Sequence, residues 1–200
     1  MSGRAATLAA MARQAIAEQL AQPGASSKER RRAEPDSLRR SQRGSGGCGS
    51  STPQLNIDEL RGVFVTLRRR ADNDLRGCVG TVEPQFPLGE AVRRAAVSAA
   101  LSDTRFQPVT LGELPSLTVA VSVLGALAPS APEGVEVGRH GVLVRHDERS
   151  ALLLPQVATE QGWDRETLLR QLCRKAGLPP DAWRKPDCQL FVFETETYSE

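Results

Sequence analysis

At 200 residues and 21.6 kDa, the chain can bury a core without disulfides or metals to staple it. Its 40% hydrophobic and 25% charged content is that of a globular domain, and no apolar run approaches the roughly 18 residues a membrane-spanning helix needs. The net charge of +2 is uneven: residues 1–54 hold nine Lys/Arg against four Asp/Glu, a net of +5, and residues 55–200 hold seventeen against twenty, a net of −3. A nucleic-acid-binding fold carries its positive charge on the body, and the eight aromatics make a poor base-stacking platform, so that class is disfavoured.

Leu8, Met11, Ala15, Ile16 and Leu20 recur at helical spacing over residues 5–20, which predicts an N-terminal helix (residues 1–21) lying on the remainder of the domain. Residues 22–54 have no apolar period. Their Ser, Gly and Arg content, with Lys28, Arg30–Arg32, Arg39, Arg40 and Arg43, reads as a basic flexible insertion. Residues 55–200 form the rest of a single domain. There, Val63, Val65 and Leu67 alternate with Phe64 and Thr66 as a strand; Asp72-Asn73-Asp74 turns the chain, and residues 75–82 return.

A helix follows at 88–101, with Ala91, Val92, Ala95, Ala96, Ala99 and Ala100 on one face. After a loop at 102–108 and a short turn that Thr110 can cap comes a strand at 118–124. Residues 141–145 and 151–154 form a second hairpin, closed by Pro155. Asp164 caps a helix at 164–176, which Gly177 stops, and one last strand spans Gln189–Thr197. Helices and strands mix without βαβ alternation, so the expected fold class is α+β with a largely antiparallel sheet and flanking helices.

No two of Cys48, Cys78, Cys173 and Cys188 form a CxxC pair, and His140 and His146 are the two histidines, so no short-spaced zinc or iron–sulfur site is expected. No metal or other cofactor is expected. The first 21 residues lack a secretory apolar core, which makes a reduced, cytoplasmic protein the expectation. Cys173, on an apolar helix face, and Cys188, at a strand start, read as structural; Cys48 falls in the linker and the histidines in loops.

Chemistry concentrates in Leu75-Arg76-Gly77-Cys78-Val79-Gly80. Two glycines inside a strand weaken it, so Gly77 and Gly80 point to a bulge or to close approach of a backbone or ligand. In an ideal strand Arg76 shares a face with Cys78 and could favour a thiolate, as a nucleophilic or redox cysteine requires. An inert core cysteine fits the same spacing. Asp103 and Arg105, with Phe106 behind, could orient Arg76 or a ligand carboxylate, or simply brace their own loop. Glu113 fits either a general base or a surface carboxylate.

Arg61–Leu67, the hexapeptide 75–80, Thr81–Pro84, Asp103–Phe106, Glu113-Leu114-Pro115, Val121–Leu124, Leu154–Val157 and Leu172–Trp183 follow one another in an order that resembles the AMMECR family, and LRGCVG is similar to that family's hallmark. The resemblance spans about residues 1–21 and 60–198. It implies a larger and a smaller lobe and a cleft where the hallmark cysteine lies. As partners it implies a Memo-like protein and a radical S-adenosylmethionine protein, the AmmeMemoRadiSam system. Thr104 stands where many relatives have proline, and the 22–53 insertion is longer and more basic than their usual connector.

Two readings stay open. In one, the chain is a cysteine-dependent enzyme or enzyme subunit in which Cys78 and Arg76 are catalytic, and Leu75, Gly77, Gly80, Asp103, Arg105, Phe106 and Glu113 bind a substrate of unknown identity or a partner. In the other it is a non-catalytic interaction module that docks through the LRGCVG surface. Nucleic-acid binding through the basic arm is a third, weaker reading.

Overall fold

In the computed structural model, which describes residues 2–22 and 56–200, the chain runs α1 (Ser2–Ala21), β1 (Val63–Arg69), β2 (Leu75–Thr81), α2 (Leu88–Leu101), β3 (Leu117–Leu124), β4 (Ala128–Pro129), β5 (Gly141–His146), β6 (Arg149–Leu153), α3 (Pro155–Glu160), α4 (Arg165–Lys175), β7 (Gln189–Phe193) and β8 (Thr195–Ser199). The expected linker at 22–54, with Cys48, lies outside the described residues except for its first residue. All pairings are antiparallel, in two sheets of order β2-β1-β3-β8 and β4-β7-β5-β6. The fold is α+β. No helix among the described residues is long and apolar enough to cross a membrane.

The period-2 pattern divides the first sheet into two faces. Val63, Val65 and Leu67 of β1 and Val119, Val121 and Val123 of β3 are wholly buried beneath α1 and α2. The intervening Phe64 and Thr66 turn to the opposite face, where Phe64 packs with Leu124, Leu143, Leu152, Leu154 and Phe193 in the apolar seam joining the lobes. α1 docks through Leu8, Ala12 and Ile16. Arg13 fastens it, donating to the carbonyls of Leu114 (2.8 Å) and Leu117 (2.6 Å) and pairing with Glu200.

The alanine face of α2 lets the helix lie unusually close to β2. A Cβ on Gly77 would stand 2.2 Å from the Ala99 carbonyl oxygen, so glycine is required there by contact with the helix backbone. Asn73, at φ 61°, supplies the left-handed residue that the β1–β2 turn requires.

The second lobe packs Leu168, Leu169, Leu172 and Cys173 of α4 on Val142, Val144, Leu153 and Leu190 of its sheet. Asp164 caps α4 as expected, accepting from the Thr167 N–H at 2.8 Å. The helix ends in a Schellman motif: Gly177 sits at φ 70°, its N–H bonds the Arg174 carbonyl (3.0 Å), and the Leu178 N–H bonds the Cys173 carbonyl (2.9 Å). Lys175 is therefore fixed as the last helical residue.

Two expectations need correction. Pro155 opens α3 as well as closing the hairpin, because its missing N–H costs nothing in a first helical turn. The single last strand is two: it breaks at Glu194, β7 pairing with β4 and β5 in the second sheet and β8 with β3 in the first. The apolar run ends at Phe193, while the β-branched Thr195 and Thr197 carry strand propensity past the break. Gly125 N–H bonds the Glu194 carbonyl at 2.8 Å where the chain crosses between lobes.

Gly77→Ala should lose about 1–3 kcal/mol in urea unfolding, the usual cost of overpacking. Gly112→Ala, where nothing lies within 4 Å of the added Cβ, should be close to neutral. Equal stability of the two variants would contradict the close approach of α2.

Candidate functional site

β2 is an edge strand, and its outward N–H and C=O groups need partners. At Cys78 the 103–106 loop supplies them. The Cys78 N–H donates to Asp103 Oδ2 at 2.9 Å, and Arg105 Nη2 approaches the Cys78 carbonyl at 3.4 Å. Arg105 also grips Asp103 in a fork, Nε to Oδ1 at 2.9 Å and Nη2 to Oδ2 at 2.7 Å, while its backbone N–H donates to Oδ1 at 3.2 Å.

The Asp103 side chain is only 6% exposed. The Arg105 fork, followed by the Cys78 and Arg105 backbone N–H groups, outweighs the desolvation that opposes ionisation and holds its pKa down to about 2. The same pairing raises Arg105. The pair thus braces both its own loop and the backbone of the cysteine.

With its backbone turned outward, Cys78 faces Thr66 across the β1–β2 ladder, and the Thr66 hydroxyl donates to Sγ at 3.5 Å. The residue is half-buried. The Arg105 guanidinium stands at its carbonyl from the first lobe, and the Lys175 ammonium at the end of α4 lies within electrostatic range from the second. Lys175 keeps a solvent-exposed stem, but its ammonium is drawn in to the Leu152 carbonyl at 3.0 Å, and desolvation lowers its pKa against the opposing pull of Cys78. The lobes are held around this point by Arg68, whose Nη2 donates to both Glu160 carboxylate oxygens at 3.0 and 2.8 Å, and by Arg145 with Glu83 at 3.2 Å.

Arg76 takes a different course from that of an ideal strand. The ladder slips between Leu67–Gly77 and Arg68–Leu75, which leaves Arg76 as a bulged residue. Its guanidinium is bound by Glu113, Nε to Oε1 at 2.6 Å and Nη2 to Oε2 at 3.0 Å, and stands 5.9 Å from the Phe106 ring centroid. Nη1 is buried without a hydrogen-bond partner. Phe106 also faces Arg105 at 5.4 Å, so the ring sits beside both guanidinium groups. Leu75 is half-buried at the start of the strand. Gly80 lies opposite Phe64, and a Cβ there would meet the Phe64 Cα at 2.6 Å.

The structure thus gathers Cys78, Asp103 and Arg105 at one point and Arg76, Glu113 and Phe106 at the next. Lys175 was not among the sequence candidates. A lysine in the last turn of a helix is ordinary helix-dipole chemistry, and nothing in its local pattern ties it to a strand 97 residues away. Thr66 was missed because its hydroxyl reads as simple strand alternation. Among the described residues no three of His, Cys, Asp and Glu converge in a metal-binding group.

This fold and this order of motifs define one class of protein: the AMMECR1 family model matches residues 9–198, and the chain belongs to that family. Protein MK0488 of Methanopyrus kandleri is 47% identical over 156 residues, covering 74% of this chain and 75% of that protein. Protein MJ0810 of Methanocaldococcus jannaschii is 44% identical over 157 residues, 75% of this chain and 78% of that protein. The crystal structure of the uncharacterized protein PH0010 from Pyrococcus horikoshii is similar with a TM-score of 0.75 and 39% identity, over 97% of this chain and 90% of that one.

Because Asp103 is ionised far below its ordinary range, it adds stability that is complete above about pH 4 and lost as pH falls toward 2. Asp103→Asn should cost up to about 2 kcal/mol at neutral pH. It should also flatten the stability profile between pH 4 and 2, as followed by chemical unfolding at stepped pH. A variant with the parent's acid slope would show that Asp103 is not the group responsible.

Proposed function

We propose that this protein works through Cys78, as a cysteine-dependent enzyme or the subunit of one. The observation that carries the reading is the company of the thiol. It is half-buried where the lobes meet, beside a hydroxyl donor, with the Arg105 guanidinium at its carbonyl and the Lys175 ammonium of the other lobe within electrostatic range. A sulfur anion can use each of these groups once it forms, and a structural cysteine needs none of them. Of the other described thiols, burial raises Cys173, and desolvation pushes Cys188 up to about 11.

In this reading Asp103 and Arg105 position the Cys78 backbone, and the Arg76–Glu113 pair with Phe106 firms the strand before it. The alternative, a docking module that pairs through the LRGCVG strand, draws less support. The outward backbone groups at Cys78 are already taken by Asp103 and Arg105, so a partner strand would have to displace them. A Memo-like protein and a radical S-adenosylmethionine protein are proposed as partners on the family resemblance, testable by co-purification.

Peptide-resolved labelling with iodoacetamide tests the proposal. Cys78 should react in the folded protein well ahead of Cys173 and Cys188, and Lys175→Gln should slow it at neutral pH. Labelling of Cys78 only after unfolding would end the enzymatic reading and favour the docking module.

A further inference from the structure

The Cys78 N–H is spent outward on Asp103, so within the β1–β2 ladder Cys78 and Thr66 face each other without backbone hydrogen bonds between them. Side chains approach most closely in pairs of this kind, with Cβ atoms roughly 4.5–5.5 Å apart. That geometry delivers the Thr66 hydroxyl to Cys78 Sγ at 3.5 Å.

The donor is fixed, and nothing competes for it. β1 lies between β2 and β3, and Val65 and Leu67 on either side of Thr66 are wholly buried on the core face, so the backbone that carries the hydroxyl is held in place. The β-branched side chain is itself stiff at χ1. Across the β1–β3 ladder stands Ala120, which has no side-chain acceptor. Among the described residues the hydroxyl has no hydrogen-bond partner other than Sγ. No carboxylate or imidazole there bonds it to take its proton, so Thr66 is a donor and not a base.

Resting on the proposal that Cys78 is the reactive group, we infer that Thr66 is a catalytic residue: its hydroxyl donates to the Cys78 thiolate and holds the sulfur in one rotamer for attack. The thiol proton leaves to solvent, the Thr66 proton stays on its oxygen, and the hydrogen bond strengthens as charge develops on sulfur.

The pH profile of Cys78 alkylation by iodoacetamide tests this, read by peptide-resolved mass spectrometry in the folded full-length chain. The thiolate displaces iodide, and an S–C bond forms as the C–I bond breaks. Thr66→Val keeps strand propensity and removes the donor. The charged groups around Cys78 (Asp103 and Arg105 at its backbone, Lys175 from the second lobe) are the same in parent and variant, so the comparison reads the hydroxyl alone. Half-maximal labelling should move up by about one pH unit, the size of one hydrogen bond to a charged group. A less stabilised thiolate is also more nucleophilic, with a Brønsted slope of about 0.4–0.5. The variant should therefore label about threefold more slowly than the parent on the acid side and about threefold faster on the alkaline plateau, so that the two profiles cross. Thr66→Ser keeps the hydroxyl and should follow the parent. Thr66→Ala should cross it as valine does, which keeps the test open if the valine variant does not fold; circular dichroism and urea midpoints show which variants do.

Coincident profiles for the parent and the folded variants that lack the hydroxyl would overturn the inference and leave the cysteine proposal standing. So would an equal loss of rate at every pH in the valine and serine variants, the mark of a packing role. A parent chain in which Cys78 labels only after unfolding would overturn the proposal and the inference together.

Discussion

A sheet edge with unpaired backbone groups cannot stay both ordered and solitary, and here a salt-bridged loop answers that need. Asp103 accepts the Cys78 N–H and Arg105 approaches the Cys78 carbonyl, so two side chains stand in for a neighbouring strand. The carboxylate can be nearly buried because three N–H donors surround it besides the Arg105 fork's second contact. This clamp leaves an edge strand with one face free. Cys78 is displayed by backbone that cannot slide, opposite Thr66, with the arginine of the clamp beside it.

The rest of the fold serves that display from two directions. From beneath, the small face of α2 closes on Gly77 so tightly that no Cβ fits, which fixes the height and twist of β2. From the second lobe, the Schellman end of α4 sets Lys175 at the last helical position and points its ammonium toward the Leu152 carbonyl at the junction. The apolar seam around Phe64 and Phe193, with the Arg68–Glu160 and Arg145–Glu83 pairs, keeps the two sources of positive charge in register. The exposed ion pairs add little stability individually, and their value here is in orienting the lobes.

The elements that depend on local periodicity were legible. The 88–101 helix, the capped helix before Gly177 and the alternation of β1 arise from side-chain spacing alone, because each buries one face whatever its partner is. The glycine pair around Cys78 was also visible, as a weakness in a strand that something must justify. The bulge at Arg76 was not. An ideal strand predicts an unbroken alternation there, and only the slipped ladder with β1 and the loop that brings Glu113 to the Arg76 guanidinium show the bulge and its partner.

Residue type, order and spacing within single segments were enough for the family, the α+β class and the cap of α4. Which charges come near Cys78 was settled only by the packing of the lobes. Lys175 comes within electrostatic range of it across a lobe boundary, Arg105 holds its backbone through a loop, and the break at Glu194 divides one extended segment between two sheets. Electrostatic partnership depends on distance in space, and no periodicity along the chain encodes the proximity of a strand and a helix end that lie 97 residues apart.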